Sequence, residues 1–158
     1  MTEASLRGTW TFAALGYTSC PDVCPMTMAT FAALQRQIGS AEGGQAPRFL
    51  LISVDPERDT PERLAQYVHH FHPGFLAATG AQPVLQALAR DLGGLYVRVD
   101  DPKSALGYTV DHSAAIYLLD PDARLAAIFS TPHDPTKMAR DFAALTRGAE
   151  PNPSGSAD

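Results

Sequence analysis

Two cysteines are separated by three residues in the segment Cys20-Pro-Asp-Val-Cys24, and the 158-residue chain contains no other cysteine. At this spacing two sulfurs can form a reversible disulfide, or they can bind one metal ion as two soft ligands. Two cysteines are too few for a disulfide scaffold, so chemistry is favoured over a role in holding the fold together. A closed structural zinc site is disfavoured because it needs four Cys or His ligands. A simple structural disulfide, or a pair of inert thiols, is the remaining alternative.

The neighbouring segments place these cysteines between a strand and a helix. Residues 10–17 form an apolar, aromatic run that predicts a buried strand, and apolar residues recur at helical spacing after Cys24, which predicts a helix over 23–38. A thiol at a helix N-terminus faces unpaired N–H groups and the positive end of the helix dipole. We therefore expect exposed thiols with a lowered pKa at Cys24 and at Cys20 beside it.

His112 is the candidate third ligand. It follows residues 100–111, which show no clear pattern and are interpreted as a loop, and it precedes a predicted strand over 114–119. If that strand lies beside the cysteine strand, His112 faces the cysteines. Two thiolates and an imidazole suit copper in either oxidation state better than magnesium, calcium or manganese. The Asp111 carboxylate is a candidate to accept a hydrogen bond from the imidazole, to fix the loop or to contact a partner.

Other potential ligands are better explained without a metal. His69, His70 and His72 surround the end of a predicted helix and His133 lies in a polar turn, positions typical of solvated histidines. Two methionines follow the cysteines, Met26 and Met28, and Met28 falls on the apolar face of its helix. Core packing is therefore favoured over a thioether ligand for both.

The rest of the chain alternates between strand and helix patterns. Further strands are predicted over 48–54, 75–79, 96–99, 114–119 and 125–129, with helices over 61–72, 83–92 and 135–145. This order predicts an α/β fold in which the first two strands pair in parallel and the last two form an antiparallel hairpin.

Length and charge exclude several classes of protein. A chain of 158 residues predicts one domain, and 12 basic against 17 acidic residues give a net charge of −5, which disfavours nucleic acid as a partner. No apolar run approaches the roughly 20 residues that span a bilayer, and no signal peptide is visible, so we expect no membrane insertion by this chain.

Three motifs in this order resemble the Sco/SenC family: GYTSCPDVCP at 16–25, ISVDPERDTP at 52–61 and DHS at 111–113. The resemblance covers roughly residues 6–145. It implies a thioredoxin-like α/β fold over 1–147, with a central mixed β-sheet flanked by helices. The C-terminal residues are rich in Pro, Ser, Gly and Asp and have no apolar anchors, so we expect a disordered tail over 148–158. It also implies a copper chaperone that helps to build the binuclear copper centre of cytochrome c oxidase subunit II, with Cys20, Cys24 and His112 as the copper ligands.

The resemblance further implies partners and a location. The acceptor would be cytochrome c oxidase subunit II or another copper protein, and the source would be a copper donor chaperone. The location would be the periplasmic side of the bacterial inner membrane, although we expect no anchor within this sequence.

The main alternative is a thiol–disulfide oxidoreductase of thioredoxin-like fold, with Cys20 and Cys24 as its redox-active pair. Such reductases typically combine CxxC with a proline in the facing loop, whereas this chain has CxxxC and no proline beside His112. Reductase activity can also accompany copper delivery, because the thiols must be reduced before they bind metal. A redox-sensing interaction domain without metal is a third hypothesis.

Overall fold

The structure is a computed structural model that describes residues 3–20, 23–39, 46–105 and 107–148. Within these ranges the helices are α1 (Glu3–Leu6), α2 (Val23–Gly39), α3 (Pro61–Phe71), α4 (Gln82–Asp91) and α5 (Pro135–Gly148). The strands are β1 (Thr11–Gly16), β2 (Arg48–Ser53), β3 (Leu76–Ala78), β4 (Tyr96–Asp100), β5 (Tyr108–His112), β6 (Ile116–Leu119) and β7 (Leu125–Phe129). The short helix α1 is an addition to the predicted elements.

Five strands form one mixed sheet in the order β3-β2-β1-β6-β7. The central strand β1 pairs in parallel with β2, from Thr11 opposite Arg48 to Gly16 opposite Ser53, and antiparallel with β6 on its other side. Strands β6 and β7 form the predicted hairpin. The parallel pairing of the first two strands and the antiparallel pairing of the last two are therefore confirmed.

Both faces of this sheet are covered, because the side chains of β1 alternate between two clusters. Phe12 and Ala14 pack with apolar residues of α2, α3 and α5, whereas Ala13 and Leu15 pack with residues of α4 and β5. The rings of Phe12 and Phe49 stack with centroids 5.4 Å apart, and burying each ring contributes about 1.5–3 kcal/mol. β1 is thus fixed on both faces, and its C-terminal end is a rigid support for the cysteine segment.

The interpretation of 100–111 as a loop is wrong at residue 100, which ends β4, and over 108–111, which belong to a strand. Strand β5 occupies Tyr108–His112 and pairs antiparallel with β4, from Tyr96 opposite His112 to Asp100 opposite Tyr108. These two strands form a separate two-stranded sheet, which we call the histidine hairpin. The strand pattern is weak because four of the five residues of β4 are exposed and only Tyr108 and Val110 of β5 are buried.

The helix boundaries follow local signals. Thr60 caps α3 by accepting a hydrogen bond from the Arg63 N–H, and Pro61 occupies the first helical position, as predicted. Helix α5 continues to Gly148, three residues beyond the predicted end, and residues 149–158 of the predicted tail lie outside the described residues. None of the helices in the described ranges is long and apolar enough to cross a membrane.

Candidate metal centre

Three elements bring Cys20, Cys24 and His112 together at the C-terminal end of β1. The chain leaves β1 at Gly16 and turns, with the Cys20 N–H donating to the Tyr17 carbonyl at 3.2 Å. Helix α2 begins at Val23, so Cys24 lies in its first turn. The histidine hairpin brings His112 to the same place, because β6, which follows it, pairs with β1.

The separations of the donor atoms suit a single metal ion. His112 Nε2 lies 4.0 Å from Cys20 Sγ and 3.4 Å from Cys24 Sγ, and all three donor atoms lie within 4.8 Å of one another. A metal that binds sulfur at about 2.3 Å and nitrogen at about 2.0 Å holds such donors roughly 3.5–4 Å apart. The cluster therefore needs only small adjustments to enclose an ion, and the donor set is soft, as copper prefers.

The Ser113 backbone carbonyl determines which nitrogen of His112 faces the sulfurs. His112 Nδ1 lies 3.0 Å from that carbonyl oxygen. A carbonyl only accepts hydrogen bonds, so Nδ1 carries the proton and donates, which leaves the lone pair on Nε2. This nitrogen points at both cysteines and is available to a metal. A backbone carbonyl that orients a ligating imidazole is a common feature of metal sites.

Cys24 differs from the sequence-based expectation. It is completely buried, at 0% exposure, whereas Cys20 is half-buried, and no disulfide joins the two thiols. Hydrogen bonding with Cys20 and burial raise the pKa of Cys24 far above its ordinary value, and they outweigh a backbone hydrogen bond from Tyr17 that lowers it. The expectations of an exposed Cys24 and of a lowered pKa there are therefore wrong. Without metal Cys24 is a neutral thiol, so binding a metal must release its proton.

The charge state of His112 reflects opposing influences. Burial lowers the pKa of His112, while hydrogen bonds with Cys20 and the Ser113 carbonyl, together with the charges of Cys20 and Asp111, raise it, with a net increase. Asp111 itself is exposed, and among the described residues no hydrogen bond joins its carboxylate to the imidazole. Its influence on His112 is therefore electrostatic, and a contact with a partner protein stays a prediction.

The other histidines and methionines are not part of this cluster. In the described part of the chain no other three His, Cys, Asp or Glu donors lie as close together, so His69, His70 and His72 form no second cluster. Met28 is completely buried in the core, as predicted, whereas Met26 is 70% exposed. The core-packing interpretation thus holds for Met28 and fails for Met26.

Gly16 is a site residue whose role the sequence analysis missed. A Cβ atom at this position would lie 3.0 Å from Cys24 Sγ and 2.8 Å from Leu51 Cδ1. The absence of a side chain therefore makes room for the buried sulfur. The sequence does show a glycine at the last position of the strand before the cysteines. Its role becomes clear only from the packing of α2 against β1.

We expect Gly16→Ala to weaken metal binding and to destabilise the fold. The added methyl group would push Cys24 Sγ away from its position, and overpacking of this kind costs about 1–3 kcal/mol. Urea unfolding of the metal-free protein and titration with Cu(I) measure the two effects. Gly80→Ala is the matched control, because a Cβ atom at Gly80 would meet nothing within 4 Å. Equal copper affinity in wild type and Gly16→Ala would contradict this assignment.

A central mixed sheet flanked by helices, with two cysteines and a histidine gathered at the end of its middle strand, defines a thioredoxin-like protein with a candidate metal-binding site. The sequence model of the family described as SCO1/SenC matches residues 1–147. The chain belongs to this family.

Known proteins show how far the similarity extends. The SCO1 homolog 1, mitochondrial, of Arabidopsis thaliana is 36% identical over 135 residues, which cover 85% of this chain but 39% of that relative. The structure of Arabidopsis thaliana ScoI with copper bound has a TM-score of 0.86 at 32% identity and covers 94% of this chain and 90% of that one. The structure of Bradyrhizobium japonicum ScoI with copper bound has a TM-score of 0.76 at 33% identity, with coverages of 91% and 89%. The thioredoxin-like fold predicted from the sequence is thereby confirmed.

Proposed function

We propose that the chain binds one copper ion through Cys20, Cys24 and His112 and passes it to another protein. The observation that carries this proposal is the convergence of two sulfurs and one imidazole nitrogen within 4.8 Å. Two thiolates and a neutral imidazole give a complex with charge −1 for Cu(I) and zero for Cu(II), so neither state places a large charge in a partly buried site. The similar solved structures with copper bound give further support.

Unequal burial of the two sulfurs suggests the direction of ligand exchange. Cys20 is half-buried and Cys24 is completely buried. An incoming thiolate or imidazole therefore reaches the copper on the side of Cys20 and displaces that sulfur first. Cys24 and His112 keep the ion until the acceptor supplies enough ligands, so the copper is transferred without being released into solvent.

The family resemblance also indicates which protein receives the copper. We infer from the resemblance to the Sco/SenC family that the copper goes to the binuclear site of cytochrome c oxidase subunit II, and that a donor chaperone supplies it. We infer from the same resemblance that the protein works on the periplasmic side of the bacterial inner membrane. The matched region spans 39% of the Arabidopsis relative, so these roles are proposals for the protein as a whole.

A transfer experiment tests this function. We expect the Cu(I)-loaded protein, mixed with the metal-free and reduced copper domain of subunit II, to lose its copper to that domain, as measured by metal analysis after the two proteins are separated. The same experiment with a large excess of a metal-free competitor protein that has no paired cysteines serves as the control. Copper that stays on the chain, or that moves equally well to the competitor, would contradict delivery.

A second function uses the same cysteines as a reductant. No disulfide joins Cys20 and Cys24, and the two thiols are close enough to hydrogen-bond, so they can reduce a disulfide in a partner. In that reaction two thiols lose two electrons and two protons, a Cys20–Cys24 disulfide forms, and the partner gains two thiols. If the chain, without copper, reduces the oxidised cysteines of subunit II and His112→Ala does so equally well, this activity is independent of the metal site.

A further inference from the structure

His112 and Cys20 both lie in parts of the chain that the main sheet does not hold directly. In the part of the chain that the structure describes, β4 and β5 pair with each other and with no strand of the main sheet, and an isolated two-stranded hairpin is at best marginally stable in water. Cys20 in turn lies in a connection rather than in a regular element. These two donors are 92 residues apart in sequence, yet their donor atoms are 4.0 Å apart. The pairing of β6 with β1 brings both donors to the same end of the sheet. Side-chain contacts from other segments must then hold the hairpin and the cysteine turn in place.

One set of contacts fixes the turn that carries Cys20. The Asp59 carboxylate is buried, at 1% exposure, and accepts hydrogen bonds from the Thr18 N–H at 3.0 Å and the Thr18 hydroxyl at 2.5 Å. It also accepts one from the Ser53 hydroxyl at 2.6 Å. Arg63 donates to Thr18 Oγ1 at 2.8 Å and to Ser19 Oγ at 3.1 Å. The two residues that precede Cys20 are thus held by Asp59 and Arg63.

A second set of contacts fixes the histidine hairpin. The Asp55 carboxylate is 3% exposed, accepts a hydrogen bond from the Tyr108 hydroxyl at 2.8 Å and forms an ion pair with Arg58. Arg58 also donates to the Tyr108 carbonyl at 3.3 Å, and its guanidinium lies 3.8 Å from the centre of the Tyr108 ring. Burial and the hydrogen bond with Asp55 raise the pKa of Tyr108 to about 12, so its hydroxyl stays a donor near neutral pH.

A further ion pair on the surface strengthens this second set. Arg98 of β4 donates to Glu57 at 3.0 Å, and its guanidinium lies 3.6 Å from the centre of the Tyr108 ring. Tyr108 therefore contacts two guanidinium groups, one from the 55–63 segment and one from its own hairpin. Cation–π contacts of this kind hold a ring in place even where hydrogen bonds are few.

Both sets of contacts belong to one rigid segment. The Asp59 N–H donates to the Asp55 carbonyl at 3.0 Å, which closes a turn between the two aspartates. The Ser53 hydroxyl also joins them, because it donates to Asp59 and accepts from the Asp55 N–H at 3.2 Å. Thr60 then starts α3. A displacement of Asp55 relative to Asp59 would break this turn, so the two sets of contacts move together.

We infer that residues 55–63 form a brace that positions the two separate parts of the Cys20–Cys24–His112 site at a metal-binding distance. Asp59 and Arg63 position Cys20, and Asp55 and Arg58 position His112 through Tyr108. The inference rests on the proposed copper binding for its consequence, which is a slower loss of copper. The brace residues act through Thr18 and Tyr108, which they hold by hydrogen bonds.

Two conservative variants test the two parts of the brace separately. Thr18→Val keeps the shape of the side chain but removes the hydroxyl between Asp59 and Arg63, and Tyr108→Phe removes the hydroxyl bound to Asp55. Hydrogen bonds with charged partners of this kind change equilibria by about tenfold or more. We expect each variant to lose Cu(I) to a competing chelator about tenfold faster than wild type.

The matched controls remove a tyrosine hydroxyl and a threonine hydroxyl that do not contact the brace. Tyr96→Phe removes a hydroxyl on the same hairpin that donates to Gln82, and Thr30→Val removes one that donates to the Met26 carbonyl within α2. Both controls should lose copper at the wild-type rate. If Thr18→Val unfolds, Arg63→Gln replaces it, and if Tyr108→Phe unfolds, Arg98→Gln replaces it. Both arginine side chains are 51% exposed, so these substitutions should disturb the core little.

Measurements on the metal-free protein distinguish positioning from a general loss of stability. Thr18→Val should speed alkylation of Cys20 by iodoacetamide and leave deuterium exchange of the β5 amides unchanged, and Tyr108→Phe should do the reverse.

If wild type retains copper while both variants keep it equally well, the brace is wrong and the proposed function stands. If wild type does not retain copper, the proposed function fails, and the alkylation and exchange rates still decide whether the brace exists. Equal rates in wild type and variants would overturn it.

Discussion

Replacing Cys24 by serine is expected to abolish stable copper binding. The hydroxyl of serine is a far harder and less acidic donor than a thiolate, and Cys24 Sγ is the sulfur closest to His112 Nε2, at 3.4 Å. Even changes to groups that only orient a ligand cost about 10–100-fold in metal affinity, so losing a ligand should cost more. Competition titration of the reduced protein with a Cu(I) chelator measures the affinity.

The burial of Cys24 requires a control for folding. Its sulfur is packed in the core, so serine introduces a polar group there and can lower stability by itself. Thr27→Ala alters another buried polar side chain in the early part of α2, at 5% exposure, and should leave copper affinity within about twofold of wild type. Cys24→Ala, which adds no polar group, should lose copper as completely as Cys24→Ser. A Cys24→Ala protein that binds copper with wild-type affinity would exclude Cys24 as a ligand.

Replacing His112 by alanine is expected to remove Cu(II) binding and to leave weak Cu(I) binding. Two thiolates alone still suit Cu(I), whereas Cu(II) needs the nitrogen donor and otherwise oxidises the thiols. In that oxidation two Cu(II) ions each take one electron, the two thiols lose two protons, and a Cys20–Cys24 disulfide forms. Absorption spectroscopy after addition of Cu(II) should show an intense thiolate-to-copper band in wild type and none in His112→Ala. Thiol titration should then show both cysteines oxidised in the variant.

His69→Ala provides the matched control for the loss of an imidazole. His69 is exposed on α3 and belongs to no cluster of donors in the described ranges, so its removal should change neither the spectrum nor the affinity. A thiolate-to-copper band that persists unchanged in His112→Ala would mean that another group supplies the third ligand. A redox-sensing domain without metal predicts, in contrast, that neither histidine matters.

Local patterns were enough to predict most of the fold. The apolar run before the cysteines became β1, and the helical spacing after Cys24 became α2, within one residue at most boundaries. The continuous apolar run of β2 predicted a strand covered on both faces, and such strands pair in parallel. β5 was missed because it is stabilised by contacts of Tyr108 and Val110 with distant residues, and its own pattern is too short to indicate a strand.

The site was predictable only where it depends on sequence neighbours. The strand and the helix around Cys20 and Cys24 could be read from spacing, and the position of His112 followed once β6 was placed beside β1, which the structure confirms. The burial of Cys24 and the need for Gly16 depend on how α2 packs against β1 and β2. The contacts of Asp59 with Thr18 span 41 residues, and spacing carries no signal for such contacts.

X-ray absorption at the copper K-edge of the fully loaded, reduced protein tests the central proposal most directly, since it reports the atoms bound to the metal. We predict one copper per chain with two sulfur neighbours and one imidazole nitrogen, and with His112→Ala we predict loss of the imidazole scattering alone. Copper surrounded only by sulfur, or by nitrogen and oxygen without sulfur, would contradict a site built from Cys20, Cys24 and His112.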